Sequence, residues 1–186
     1  AADWDRDILY VGAAAGGVWK STNDGLSYLP IFESSGALAA GAIAVDPNNT
    51  DRIWVGTGDN VTGCEGYFGN GLLLSEDGGN TWVQRNGSPG QDLEDLSSFA
   101  NIIVDYSNSN HLVVGGRIRG CSGGSEQAGG IYTSDDGGMT WTPRLSNLSI
   151  YEIEQDSQVS SIFWAATPEG VYKSTDGGAN WVKQTA

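Results

Sequence analysis

The apolar residues of this 186-residue chain come in short runs, never in long stripes. No window of a dozen residues places them at i, i+3, i+4 and i+7, the spacing of an amphipathic helix. Runs of aliphatic, aromatic and β-branched residues instead alternate with clusters of Gly, Asn, Asp and Ser, such as "ILYVG" at 8–12 followed by "GVWKS" at 17–21. That is the pattern of short strands joined by tight turns, and it predicts an all-β chain.

The turns repeat one another. "SEDGGNTW" (Ser75 to Trp82) recurs as "SDDGGMTW" (Ser134 to Trp141) and "STDGGANW" (Ser174 to Trp181). A fourth copy, "STNDGLSY" (Ser21 to Tyr28), has Asn23 in the aspartate position and Tyr28 in the aromatic one. The neighbouring strands recur as well. "GVWKS", "GLLLS", "GIYTS" and "GVYKS" precede the turns, and "ILYVG", "RIWVG", "HLVVG" and "SIFWA" precede those. Earlier again come "AIAVD", "NIIVD" and "YEIEQD". The unit is therefore four antiparallel strands, A to D, in about 40–60 residues, which in tandem predicts β-propeller blades.

The predicted blades span roughly 1–35, 36–90, 91–147 and 148–186. In the first, "AADWDRD" leaves no room for a strand A, and the last ends directly after strand D. Three arrangements fit: a section of a longer propeller, a propeller completed by a neighbouring copy, or a self-sufficient four-bladed ring.

Ser-x-Asp-x-Gly-x-x-Trp resembles the Asp-box, or BNR, repeat of sialidases, sortilin-type receptor domains, xyloglucan-cleaving glycosidases, a photosystem assembly factor and secreted bacterial repeat proteins. "LYVGAAAGGVWKSTNDG" and "IAVDPNNTDRIWVGTGD" look most like the last group. The resemblance implies a turn on the periphery, remote from the functional face. The residue types also explain themselves. The carboxylate of Asp77 accepts hydrogen bonds from turn amides, Gly79 permits the tight turn, and Trp82 anchors the blade by packing into its interior. Ser75 completes the set, and Ser134, Asp136, Gly138, Trp141, Ser174, Asp176, Gly178 and Trp181 repeat it, with Ser21 and Tyr28 in the imperfect copy. A calcium loop needs oxygen ligands at alternating positions, which the glycines displace. Neither metal nor cofactor is expected.

Charge narrows the partners. Nine basic against 23 acidic residues give a net charge of −14, so phosphate backbones and anionic membranes repel the chain. No apolar run is long enough to span a bilayer. Nucleic-acid binding and membrane insertion are set aside; a protein or a glycan is the expected partner.

Candidate chemistry falls in the long B–C loops of blades two and three, at 57–70 and 116–129. They hold the only two cysteines, Cys64 and Cys121. Equivalent loops of adjacent blades are neighbours, so a disulfide is expected, with two free thiols as the alternative. A bridge implies an oxidising, extracellular or cell-surface location. Asp59, Glu65, Tyr67, Phe68, Arg117, Arg119 and Glu126 surround these cysteines as a glycan- or peptide-binding patch, or as ordinary loop packing. Asp59 and Glu65 are the one carboxylate pair to test for glycoside hydrolysis. A sialidase needs an arginine cluster and an Arg-Ile-Pro motif, and "RIR" at 117–119 is no substitute. The lone His111 reads as a structural surface residue, and Asp46, Asp105 and Asp156 as turn caps. Asn48, Asn60, Asn86 and Asn147 each begin an Asn-x-Ser/Thr glycosylation triplet.

The resulting expectation is an extracellular, non-catalytic propeller module for binding or structural assembly, self-associating through open blade edges into a ring or filament. The alternative is a fragment of a carbohydrate-active enzyme.

Overall fold

The computed structural model describes residues 2–3, 7–59, 67, 69–87, 93, 96, 98–117 and 129–185. It contains four sheets of four antiparallel strands, each a simple meander. Blade one holds β1 (Ala2–Asp3), β2 (Ile8–Ala13), β3 (Gly17–Ser21) and β4 (Leu29–Pro30). Blade two holds β5 (Ala40–Asp46), β6 (Asn49–Thr57), β7 (Leu72–Ser75) and β8 (Val83–Gln84). Blade three holds β9 (Ser98–Val104), β10 (Leu112–Arg117), β11 (Gly130–Ser134) and β12 (Thr142–Ser146). Blade four holds β13 (Glu152–Gln155), β14 (Phe163–Thr167), β15 (Gly170–Ser174) and β16 (Val182–Lys183).

One expectation is corrected at once: blade one does have a strand A. Ala2 and Asp3 pair with Leu9 and Ile8. Two residues suffice for a ladder, and neither belongs to an apolar run that would announce a strand.

Blade two shows why its strands read as unbroken apolar runs. Both of its faces are covered, so alternation between inside and outside disappears. Ile53, Val55 and Leu73 pack toward blade one with Ile8, Tyr10, Val18 and Phe32. Trp54, Leu72 and Leu74 pack the other way, toward Phe99, Ile102, Leu112 and Trp141 of blade three. In blade four, by contrast, Phe163, Ala165 and Thr167 are buried while Trp164 and Ala166 are exposed. Each inter-blade layer is thus a small core of its own.

The Asp-box turns build the joints between these layers. In blade two the Ser75 hydroxyl donates to Asp77 Oδ1 at 2.8 Å and accepts the Gly79 N–H at 2.8 Å. Asp77 also accepts the Thr81 N–H at 2.8 Å and its hydroxyl at 2.7 Å. Blade one makes the same turn with Asn23, whose Oδ1 accepts from the Ser21 hydroxyl at 2.9 Å and the Ser27 N–H at 3.0 Å.

The box tryptophan does not stay in its own blade, which corrects the expected packing. Trp82 Nε1 donates to the Ile31 carbonyl of blade one at 2.9 Å and meets Phe32 edge to face at 5.0 Å. Trp141 Nε1 donates to the Arg85 carbonyl of blade two at 2.8 Å. Gly79, at φ 95°, leaves the room that Ile31 of blade one fills. Trp181 differs, bonding to its own Gly178 carbonyl at 2.8 Å.

Polar side chains return the grip. Lys20 of blade one donates to the Gly78 carbonyl of blade two at 2.8 Å. His111 of blade three faces the Gly177 carbonyl of blade four at 2.8 Å through Nε2, and Asp135 at 2.6 Å through Nδ1. A carbonyl only accepts, so Nε2 carries a proton. His111 thus joins two blades, rather than standing as a surface residue.

The box aspartates carry a pH consequence. Hydrogen bonds from the Thr81 backbone and hydroxyl, then the Ser75 hydroxyl, hold the Asp77 carboxyl at about 2. The Asn180 side chain and backbone, then Ser174, do the same for Asp176, also at about 2. For Asp136 burial acts most strongly and upward, yet the combined bonds from Thr140 and Ser134 keep it below its ordinary value. A folded value below the unfolded one stabilises the fold above about pH 4, and that gain fades as pH falls toward about 2. Melting temperature is therefore expected to drop across that window. In Asp77→Asn, which mimics Asn23, the drop is expected to be shallower; an unchanged profile would count against this cause.

Candidate functional site

The B–C and D–A loops lie on one face of the blades, opposite the Asp-box turns. On blade two the long B–C loop leaves and rejoins the sheet through a tied neck. The Thr57 hydroxyl donates to the Gly71 carbonyl at 2.6 Å and accepts the Asn70 N–H at 2.6 Å. The Asp59 N–H donates to the Tyr67 carbonyl at 3.0 Å. Asp59 Oδ2 accepts the Tyr67 N–H at 2.8 Å. Asp59 is buried, whereas the Tyr67 ring is half exposed.

Below the neck, Asn86 ties the start of β7 to the segment that follows β8. Its Oδ1 accepts the Leu72 N–H at 2.7 Å, and its own carbonyl accepts from Leu93 at 2.8 Å. On blade three, Arg117 ends β10 and lays its guanidinium 4.9 Å from the centre of the Tyr151 ring. Tyr151 opens blade four at the same face and is half exposed. Beside it Glu152 accepts from the Asn101 side chain, joining the innermost strands of blades three and four.

The structure therefore joins two of the predicted residues, Asp59 and Tyr67. It gives Arg117 a partner the sequence did not suggest, Tyr151, which had read only as the start of a strand. Glu65, Phe68, Arg119, Glu126 and both members of the Cys64–Cys121 pair lie outside the described residues, as does Asn60. Asn86 is buried, with its side-chain oxygen engaged by the Leu72 N–H. The Asn48 amide donates to Tyr106 and Ser109 of blade three at 3.0 and 3.1 Å. Asn147 is exposed, at φ 60°. Among the described residues no group of three or more His, Cys, Asp or Glu is placed to hold a metal ion. Nor is any helix among them long and apolar enough to cross a membrane.

The BNR/Asp-box repeat model matches residues 132–143, which cover the end of β11, the turn, Trp141 and the start of β12. These are the Asp-box repeats of a β-propeller. The oligoxyloglucan-reducing end-specific xyloglucanase of Emericella nidulans is 30% identical over 99 residues, covering 53% of this chain and 10% of that enzyme. A Paenibacillus xyloglucanase is 25% identical over 146 residues, covering 74% of this chain and 13% of the enzyme. Among solved structures, an ancestral GH74 enzyme superposes with a TM-score of 0.76 and 26% identity, over 100% of this chain and 23% of the enzyme. YCF48 bound to D1 peptide shares the fold at a TM-score of 0.61 and 14% identity, covering 96% of this chain and 51% of that one. The chain spans only 10–13% of the length of the xyloglucanases it matches.

These matches overturn the expectation of a non-catalytic binding or structural Asp-box module. The Asp-box sequence relatives are xyloglucanases, and the structure that covers the whole chain at 26% identity is a GH74 enzyme. They favour the alternative stated from the sequence, a fragment of a carbohydrate-active enzyme.

Proposed function

We propose that this chain is a section of a glycoside hydrolase acting outside the cell on a xyloglucan-type polysaccharide. The observation that carries the reading is its identity, at 25–30%, with enzymes named as xyloglucanases. The loop face of blades two to four is the part of this section that meets the glycan. Tyr67 and Tyr151 offer half-exposed rings there, and a sugar stacks its apolar face on such a ring. Arg117 holds the Tyr151 ring from one side, which fixes the ring as a platform. Asp59 ties the base of the Tyr67 loop with its carboxylate, so its main task in this section is to position that loop. Hydrolysis by this class of enzyme needs two carboxyl groups flanking the scissile bond. Among the described residues of this face Asp59, Glu152 and Glu169 are carboxylates, each already engaged by a neighbour.

Affinity electrophoresis in gels containing xyloglucan tests the reading, with reducing-sugar release measured in parallel. Retardation by xyloglucan and not by an unrelated α-glucan is expected. Tyr67→Ala combined with Tyr151→Ala is expected to weaken retention by about 5- to 150-fold, at about 0.5–1.5 kcal/mol per ring. Equal migration in both gels, with no sugar released, would reject the proposal.

A further inference from the structure

An Asn or Asp stands directly before Gly at Asp24, Asn70, Asp77, Asn86, Asp136 and Asp176. Such a pair is chemically labile, because Gly has no Cβ to keep its nitrogen away from the preceding side-chain carbonyl. All but one of these pairs are held. In Asp24–Gly25 the Gly25 N–H donates to the Ser21 hydroxyl at 2.9 Å. In the other three boxes the N–H groups of Gly78, Gly137 and Gly177 donate to the carbonyls of Asp51, Asn110 and Ser161 at 2.9, 3.0 and 2.9 Å. Their aspartates are also held ionised by bonds within the turn, and a carboxylate is a poor target for an amide nitrogen. Asn86 is buried, and its Oδ1 accepts the Leu72 N–H at 2.7 Å.

Asn70–Gly71 is the exception. Asn70 is exposed, and its hydrogen bonds to the described residues all run through its backbone. Its N–H donates to the Thr57 hydroxyl at 2.6 Å, and its carbonyl accepts from the Gln84 and Asn86 side chains at 3.3 and 3.4 Å. Among the described residues none accepts the Gly71 N–H. Nucleophile and amide carbon are thus both open, at the point where the loop carrying Tyr67 rejoins the sheet.

We propose that Asn70 is a site of spontaneous modification, converted to isoaspartate in the folded protein, and that the conversion releases this loop. The Gly71 nitrogen attacks Asn70 Cγ and forms a new C–N bond. The bond from Cγ to the side-chain nitrogen breaks, and that nitrogen leaves as ammonia with the proton that Gly71 gives up. Water then opens the five-membered succinimide at either carbonyl, leaving aspartate or isoaspartate. In isoaspartate the main chain runs through Cβ and Cγ, so it gains one carbon between Asn70 and Gly71. The neck is tied on both sides of that bond to one residue of β6. Thr57 accepts the Asn70 N–H with its hydroxyl, and donates its own N–H and hydroxyl to the Gly71 carbonyl at 3.1 and 2.6 Å. Lengthening the chain between these ties breaks one of them.

Ageing the protein in warm, mildly alkaline buffer tests this, followed by peptide mapping with electron-transfer fragmentation, which separates isoaspartate from aspartate. Asn70 is expected to gain the mass of an NH2-to-OH exchange and to appear as isoaspartate, while Asn86 stays intact. In urea, where neither residue is held, the two are expected to convert alike. Chymotryptic cleavage after Tyr67 is expected to become several-fold faster as the parent ages. In Asn70→Gln it is expected to stay constant, because the longer side chain would have to close a six-membered ring. An Asn70 that converts no faster than Asn86 in the folded protein would overturn the proposal. So would a difference between them that persists in urea, since the fold would not be its source, or conversion that leaves the cleavage rate unchanged.

Discussion

Trp141→Ala is expected to lower the unfolding free energy by about 3–5 kcal/mol, the range for removing a large buried aromatic. Trp141 is 1% exposed and packs with Trp54, Leu72, Leu74 and Leu112 in the layer between blades two and three. Truncation opens a cavity there. It also removes the N–H that reaches the Arg85 carbonyl at 2.8 Å, so two blades lose a polar tie as well as a packing partner. Trp141→Phe separates the two effects. It keeps most of the apolar area and loses the donor, so about 1–2 kcal/mol is expected. Urea denaturation followed by circular dichroism measures both. An alanine variant within about 1 kcal/mol of the parent would mean that the joint between the blades contributes little.

Gly71→Ala is expected to cost about 2–5 kcal/mol, although it adds only a methyl group. Gly71 has φ 84°, where an L-residue costs about 1–2 kcal/mol. The new methyl would also land on the Asn86 side-chain amide. Asn86 would have to leave the Leu72 N–H, which is fully buried, and an unpaired buried donor costs about 1–3 kcal/mol more. The damage is expected to reach the loop above, because the Gly71 carbonyl accepts from both the N–H and the hydroxyl of Thr57. Asn86→Ala should remove part of the same interaction. The double variant is therefore expected to fall short of the sum of the singles. Additive losses would show that Gly71 and Asn86 act independently.

What could be read in advance followed from repetition. Four copies of one turn located four sheets and their meander, since each copy had to stand between the same two strands. Strand β1 escaped because Ala2 and Asp3 form a ladder through backbone groups alone. Trp82 and Trp141 were recognised as anchors, but their destination was not legible. The acceptor is a backbone carbonyl in another blade, and no side chain marks it. Asn86 read as a glycosylation triplet because its buried role depends on Gly71 and Leu72, residues 14 or more positions away. The enzymatic kinship stood only as the alternative for a further reason. Turn motifs report the scaffold, while the loop residues that meet a substrate, Tyr67 and Tyr151 in the present proposal, follow no repeat.

The indole-to-carbonyl joint also bears on how such a chain grows. Trp82 and Trp141 ask of their neighbour only a main-chain oxygen at a set offset, and Ile31 and Arg85 supply it although their side chains have nothing in common. A joint of that kind makes no demand on the neighbour's side chain at that point. A duplicated or borrowed gene segment encoding one blade would arrive with its half of the joint intact, and would need no matching substitution there in the blade it lands beside.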